Sequence, residues 1–265
     1  MKKIGWLFPI LLLFVATGCF DSAEETTIND NGSGLFTSTI DMSKLITLAK
    51  TFGGDNKEMK ELESAKKDTT VSLATFKDSI GNFNDAEKKL LDKGSLRLIM
   101  DMGGEKMNLT FSFPFSKTAE IASITQLLKK SKGQIVSKIF DKIGPGDAGG
   151  DDNKEGAFGM PGQGEEQSDI SDYYDYVFEK GHLSCKLNKE KYANVGEDKS
   201  LKTMQEMAQM GLSASFKKVI NLPKPAKKAE GKGIKLSNDK KQITIEGTLD
   251  DFFEEASYFE YDIEY

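Results

Sequence analysis

The chain has 265 residues, 38% hydrophobic and 29% charged, which is enough apolar side chain to bury a sizeable core and too much for a disordered tail. Its 36 Lys and Arg against 42 Asp and Glu leave a net charge of −6, and Arg97 is the lone arginine, which argues against a nucleic-acid surface built on phosphate clamps. One histidine, His182, and two cysteines, Cys19 and Cys185, exclude a zinc ribbon, a His-rich metal site and a disulfide framework, so no metal or cofactor is expected and any metal chemistry would need oxygen ligands.

At the amino terminus Lys2 and Lys3 precede an apolar run over 4–16, followed by Thr17, Gly18 and Cys19. The run is too short to span a bilayer comfortably, and the basic, apolar, small-residue order describes a secretory signal over 1–18. Ala16-Thr17-Gly18-Cys19 resembles the lipobox of bacterial lipoprotein precursors, in which diacylglycerol is attached to the Cys sulfur and the signal is cut just before it. Ala16 stands where leucine is favoured, with Val15 one place further back, and a Sec signal cut elsewhere is the alternative. The resemblance implies that Cys19 is the lipidation site, carrying palmitate-type chains; a thiolate is the one side chain here that takes an alkyl group as a stable thioether. Each buried methylene contributes about 0.8 kcal/mol, so such chains hold a protein on a membrane almost permanently. Removing Lys2 and Lys3 with the signal leaves 34 basic side chains against 42 acidic, a charge near −8 with no attraction to anionic lipid.

Phe20 follows the cysteine where an Asp would retain a lipoprotein in the inner membrane, so the resemblance implies the outer membrane. Asp21, Glu24 and Glu25 come next. They read either as a solvated linker or as an acidic export signal to the cell surface. The polar, Gly- and Asn-containing stretch over 19–33 is expected to be an acylated Cys plus flexible tether, and Asn29-Asp30-Asn31 lacks the order of a calcium loop.

The folded domain is expected over 34–265. Phe36, Ile40 and Met42 mark a strand, and Ser43 caps a helix carrying Leu45, Leu48, Ala49 and Phe52 up to Gly53. Asn84 and Glu87 form a capping box for a helix to Lys93. Leu96, Leu98, Met100 and Met102, then Met107, Leu109, Phe111 and Phe113, alternate with polar neighbours around Gly103-Gly104, a hairpin signature. Ser116 opens a helix to about Phe140, interrupted near Gly133. Residues 144–168 are glycine-rich and acidic and read as a disordered loop, with acids where a phosphate-binding lysine would stand.

Tyr174, Tyr176 and Phe178 mark a strand that turns at Lys180-Gly181 into Leu183, Cys185 and Leu187. A helix follows over 199–210, with Leu201, Met204 and Met207, then strands at 214–222, 234–236 and 243–245, a short helix around 249–256, and a terminal strand with Phe259, Tyr261 and Ile263. The Leu222-Pro223 region with the 234–245 strand-turn-strand resembles the end of the module in LppM-type envelope lipoproteins, over about a tenth of the chain.

Alternation puts His182 with Ser184 and Lys186 on a polar face, which makes it a solvated histidine rather than a general base, and puts Cys185 with leucines as a core residue. The acidic pairs Asp151-Asp152, Asp250-Asp251 and Glu254-Glu255, with Asp172 and Asp175, would serve a glycosidase only if held together in a cleft, and otherwise read as solvated faces. Tyr173, Tyr174 and Tyr176 read as packing rather than sugar-stacking rings. Catalytic, cofactor and metal residues are therefore expected to be none.

The expected fold is a single α+β domain, an antiparallel twisted sheet of about seven to nine strands with helices packed on one face. The expected function is a lipid-anchored, non-enzymatic binding or scaffold module of the outer membrane. Its partners would be the membrane through the acyl anchor and another envelope protein, a lipid or a glycan, with no nucleic acid. Met204 and Met207, with Met100 and Met102 on a strand face, would suit an apolar groove for lipid or a partner peptide, and otherwise read as core filling. The alternative is a surface hydrolase acting on glycan through paired carboxylates.

Overall fold

The computed structural model describes residues 20–44, 46–47, 50, 66–80, 83–143, 169–209 and 214–265. Strands β4 (Ser95–Asp101) and β5 (Lys106–Phe115) carry Leu96, Leu98, Met107, Leu109, Phe111 and Phe113 on one buried face, the two-residue period of a half-buried sheet. Their ladder closes at Asp101↔Lys106. The Asp101 carboxylate accepts from Gly104 N at 2.9 Å, and the left-handed residue of the turn is Glu105, at φ 51°, rather than either glycine.

Strand β3 (Lys66–Ser72) pairs with β4, and β2 (Gly34–Asp41) pairs with β5, both antiparallel. Beyond β2 lies β1 (Phe20–Ile28), antiparallel to it and parallel to β8 (Ala214–Asn221). With β10 (Ile234–Leu236) and β11 (Gln242–Thr248) the large sheet runs β10-β11-β8-β1-β2-β5-β4-β3. A second sheet joins β6 (Tyr174–Glu179), β7 (His182–Leu187), β12 (Tyr261–Glu264) and β9 (Lys228–Glu230) in the order β6-β7-β12-β9.

Among the described residues the helices are α1 (Asp85–Lys93), α2 (Glu120–Ile143), α3 (Lys189–Tyr192), α4 (Lys199–Gln209) and α5 (Leu249–Glu254). α1 opens with the expected capping box, Asn84 and Glu87 each accepting the other's backbone N–H. α1 and α2 touch β5, α2 also touches β6, and α5 touches β8 and β11. Helices and the small sheet therefore share the inner face of the large one, closing a core in which Phe111, Phe113, Phe252, Tyr261 and Met42 are almost fully buried. The α+β class is the expected one.

Four expectations are corrected. Residues 20–28 of the expected tether form a strand between β2 and β8, inside the large sheet rather than outside the domain. There are two sheets, of eight and four strands, and β1/β8 is parallel in an otherwise antiparallel fold. α2 begins at Glu120, not Ser116, and passes through Gly133, around which there is open space, so the glycine costs only its weak helix propensity, about 1 kcal/mol. Ser43 does not cap: its backbone N donates to Asp41 Oδ1 at 2.9 Å and its hydroxyl accepts from Met107 N at 3.0 Å. The signal over 1–18, Cys19, Leu45, Leu48, Ala49, Phe52, Gly53 and the 144–168 loop lie outside the described residues. No described helix is long and apolar enough to cross a membrane.

Candidate functional site

Among the described residues, two places that hold polar groups in a concave or enclosed setting differ in kind. The first is the seam where the small sheet covers β1 and β8. Glu24 and Lys218 project into it with Nζ–Oε2 at 3.1 Å, each side chain keeping about a quarter of its exposure, 27% and 24%. Lys218 Nζ lies 4.9 Å from the Tyr176 ring centroid and 5.8 Å from that of Tyr261, within cation–π range. Burial acts to raise the Glu24 carboxyl, but the Lys218 ammonium, with Lys132 and Lys129 of α2 behind it, holds it below the ordinary value. For Lys218 burial acts downward, and the Glu24 charge outweighs it and keeps the ammonium well above its ordinary value. Burial raises the Tyr176 phenol and pushes the Cys185 thiol up to about 12. The space between these groups is only about 10 Å³, so the seam is a packed interior with a neutralised ion pair and not a ligand cavity.

The second place is an open cavity of about 490 Å³ at the other end of β1 from Phe20. Three chain reversals build it. The turn after β1 brings Asn29, Asp30 and Gly32, the latter at φ +86° where a left-handed backbone favours glycine. The β6–β7 turn brings Lys180, Gly181 at φ +87°, and His182. The segment after β8 brings Lys224 and Lys227, and the chain end adds Glu264 and Tyr265. Gly32 and Lys180 stand close enough that a Cβ on the glycine would meet the Lys180 stem at 3.9 Å. The Lys227 ammonium donates to the Tyr265 carbonyl oxygen at 3.3 Å. His182 Nε2 lies 3.5 Å from Asp262 Oδ1. Lys180, Lys224 and Lys227 line the cavity together with the acids Asp30 and Glu264.

The side chains singled out by sequence fall elsewhere. Asp251 accepts from Thr248 N and Oγ1 at the start of α5. Glu255 pairs with Lys232. Asp172 pairs with Lys129 at 2.7 Å, and Asp175 accepts from Asn188 Nδ2 at 3.0 Å. None of these four lines either cavity; Asp151 and Asp152 lie outside the described residues. Tyr173 and Tyr174 are buried, donating to Asp198 and to the Ala256 carbonyl, and Tyr176 stacks on Phe178 at 5.7 Å. Cys185 is a buried free cysteine, as alternation implied. Ser184, placed with His182 on a polar face, is buried, because β12 pairs along that edge through Asp262↔Ser184. Met102 is buried and Met100 and Met204 pack against the core, so they line no groove; the Met207 side chain lies outside the described residues.

Sequence reasoning missed both places. The cavity residues come from separate turns with no shared motif. The seam left one signal: Lys218 sits between Phe216 and Ile220 in the inward phase of an alternating strand, and an inward lysine calls for a buried partner. Comparison with known proteins gives no match: no family, no curated protein and no solved structure is similar to this chain.

Proposed function

We propose that the protein is a lipid-anchored lipoprotein of the bacterial outer membrane, acylated at Cys19, whose domain is a non-enzymatic binding module for a small anionic, hydrophilic ligand of the envelope. The anchor rests on the lipobox resemblance of 16–19 and on Phe20 in the following position. The binding site is the 490 Å³ cavity, and the observation that carries it is the convergence of Lys180, Lys224 and Lys227 with His182 and Asn29, beside the acids Asp30 and Glu264, in one concave place. A cavity of this size and polarity suits an acidic saccharide better than an acyl chain. The outer face of the large sheet supports the same choice, since Thr37, Thr39 and Thr110 stand there, with Thr39 Oγ1 3.2 Å from Thr110 Oγ1. A polar sheet face is no carrier for lipid.

Against the hydrolase alternative, Asp251 caps α5, Glu255 and Asp172 pair with lysines, Asp175 accepts from Asn188, and none of these four lines the cavity, which favours the binding reading. The test of the binding reading is calorimetric titration of the full protein in detergent with uronic-acid saccharides. Saturable binding that weakens at least tenfold in Lys224→Ala/Lys227→Ala supports the reading. Binding that the double substitution leaves unchanged, or no heat with any acidic saccharide, refutes it. For the anchor, Cys19→Ala is expected to release the protein from membranes and abolish acyl labelling.

A further inference from the structure

The acylated residue and the large sheet are covalent neighbours. β1 is hydrogen-bonded from its first residue, with Phe20 in register with Ala214 of β8 and Asp21 with Asp41 of β2. The Cys19 Cα is one peptide away, about 3.8 Å from that of Phe20. If diacylglycerol holds the Cys19 sulfur in a bilayer, the backbone of Cys19 lies within the headgroup layer, roughly 6 Å deep on each side, and the sheet begins at its upper boundary. A flexible tether over 20–33 would instead let the domain wander about 20 Å from the surface and tumble freely.

We propose that the domain is seated on the bilayer by one rim of its large sheet, and that the cavity is held facing away from the membrane. This rests on the lipoprotein reading given above. The rim consists of the strand ends nearest Phe20: Ala214 of β8, Asp41 of β2, Lys106 of β5 with the 102–105 turn, and Thr248 of β11. The sheet twists by about 20° per strand, so these close neighbours of β1 define the contact and the outer strands tilt away. Charge contributes little to the pose, because three described lysines at the rim pair with acids there: Lys44 with Asp21 at 3.5 Å, Lys50 with Glu105 at 3.4 Å and Lys66 with Asp101 at 2.9 Å. The occupant of this surface is thus a lipid bilayer brought there by the anchor. At about 3.3 Å per residue the far end of β1, where Asn29 and Asp30 open the cavity, stands about 26 Å above it.

Two exposed lysines on one strand axis report the pose. Lys106 opens β5 at the rim and Lys117 lies just past its other end. Full-length lipidated protein carrying Lys106→Cys or Lys117→Cys is labelled with a fluorophore and reconstituted into phosphatidylcholine vesicles containing a headgroup nitroxide lipid; the buried Cys185 and acylated Cys19 leave the introduced thiol as the target. Quenching at position 106 should exceed that at 117 at least threefold, unchanged by 0.5 M salt. Inserting fourteen Gly and Ser residues between Cys19 and Phe20 should erase the difference. Equal quenching of the two labels in protein that floats with the vesicles overturns the seated pose alone, and so does a difference that survives the insertion. Protein that fails to float and lacks the acyl mass overturns the lipoprotein reading and the pose together.

Discussion

Glu24 of β1 and Lys218 of β8 stand directly opposite each other in the parallel ladder, 3.1 Å apart, closing a salt bridge between residues that lie at opposite ends of the chain. The pair faces inward under Tyr176 and Tyr261, where neither charge is tolerated without the other.

Glu24→Gln leaves Lys218 uncompensated. Removing one member of a buried pair costs about 3–5 kcal/mol, and the remaining exposure here brings the expectation to about 2–3 kcal/mol. Lys218→Met alone should cost a similar amount, while the double variant Glu24→Gln/Lys218→Met should recover at least half of either loss. Urea unfolding of the four proteins measures the coupling, and simple additivity of the two losses would contradict it.

The same pair shapes the pH dependence of stability. Burial works against the Glu24 charge, yet Lys218 keeps the carboxyl below its ordinary 4.5, so the folded state favours the ionised form. Its contribution is present above 4.5 and is lost as pH falls through the lower folded value. Lys218 is raised well above 10.5, so its contribution is present below 10.5 and is lost only as pH rises through the higher value. The urea midpoint is expected to be flat between about pH 5 and 10 with falling limbs on both sides. Glu24→Gln should flatten the acid limb; an acid limb identical to that of the parent would argue against the assignment.

Cys185 is buried and its thiol is pushed up to about 12, so almost no thiolate exists near neutral pH. Iodoacetamide is expected to leave it unmodified in the native protein and to alkylate it fully in 6 M guanidinium. Stoichiometric native labelling at pH 8 within minutes would show that the seam opens.

Thr26 is buried in the middle of β1 between two paired strands. Thr26→Pro removes a backbone donor and imposes a ring on an interior strand, where proline is almost never found. A loss of about 3 kcal/mol or more, read by thermal unfolding, is expected. A flexible tether at this place would tolerate the change, so an unaltered melting temperature would exclude β1 from the fold.

Much of the architecture was legible from local pattern. The β4–β5 hairpin, α1 with its capping box, the β6–β7 hairpin and the terminal strand follow from two-residue alternation and from side chains that satisfy the nearest backbone groups. Cys185 as a core residue followed from the same alternation. The candidate cavity was not legible, because Asn29, Lys180, Lys224 and Tyr265 acquire a common purpose only when three distant turns and the residue after β12 arrive at one end of the sheets.

The sequence by itself determined where apolar faces alternate and where helices start, and it carries the Gly18-Cys19 signature beside a strand that local reading took for a linker. Only the tertiary structure decided the place of that strand. Between Phe20 and the buried Ile28 the strand is polar and acidic, with only Ala23 apolar. It becomes part of the core because β8, nearly two hundred residues later, supplies Lys218 to neutralise Glu24, Ser215 to donate to Asp21 and Asn221 to donate to Glu25. Each acid that made the segment look solvated finds its partner in a neighbouring strand, and such long-range neutralisation leaves no trace in local periodicity.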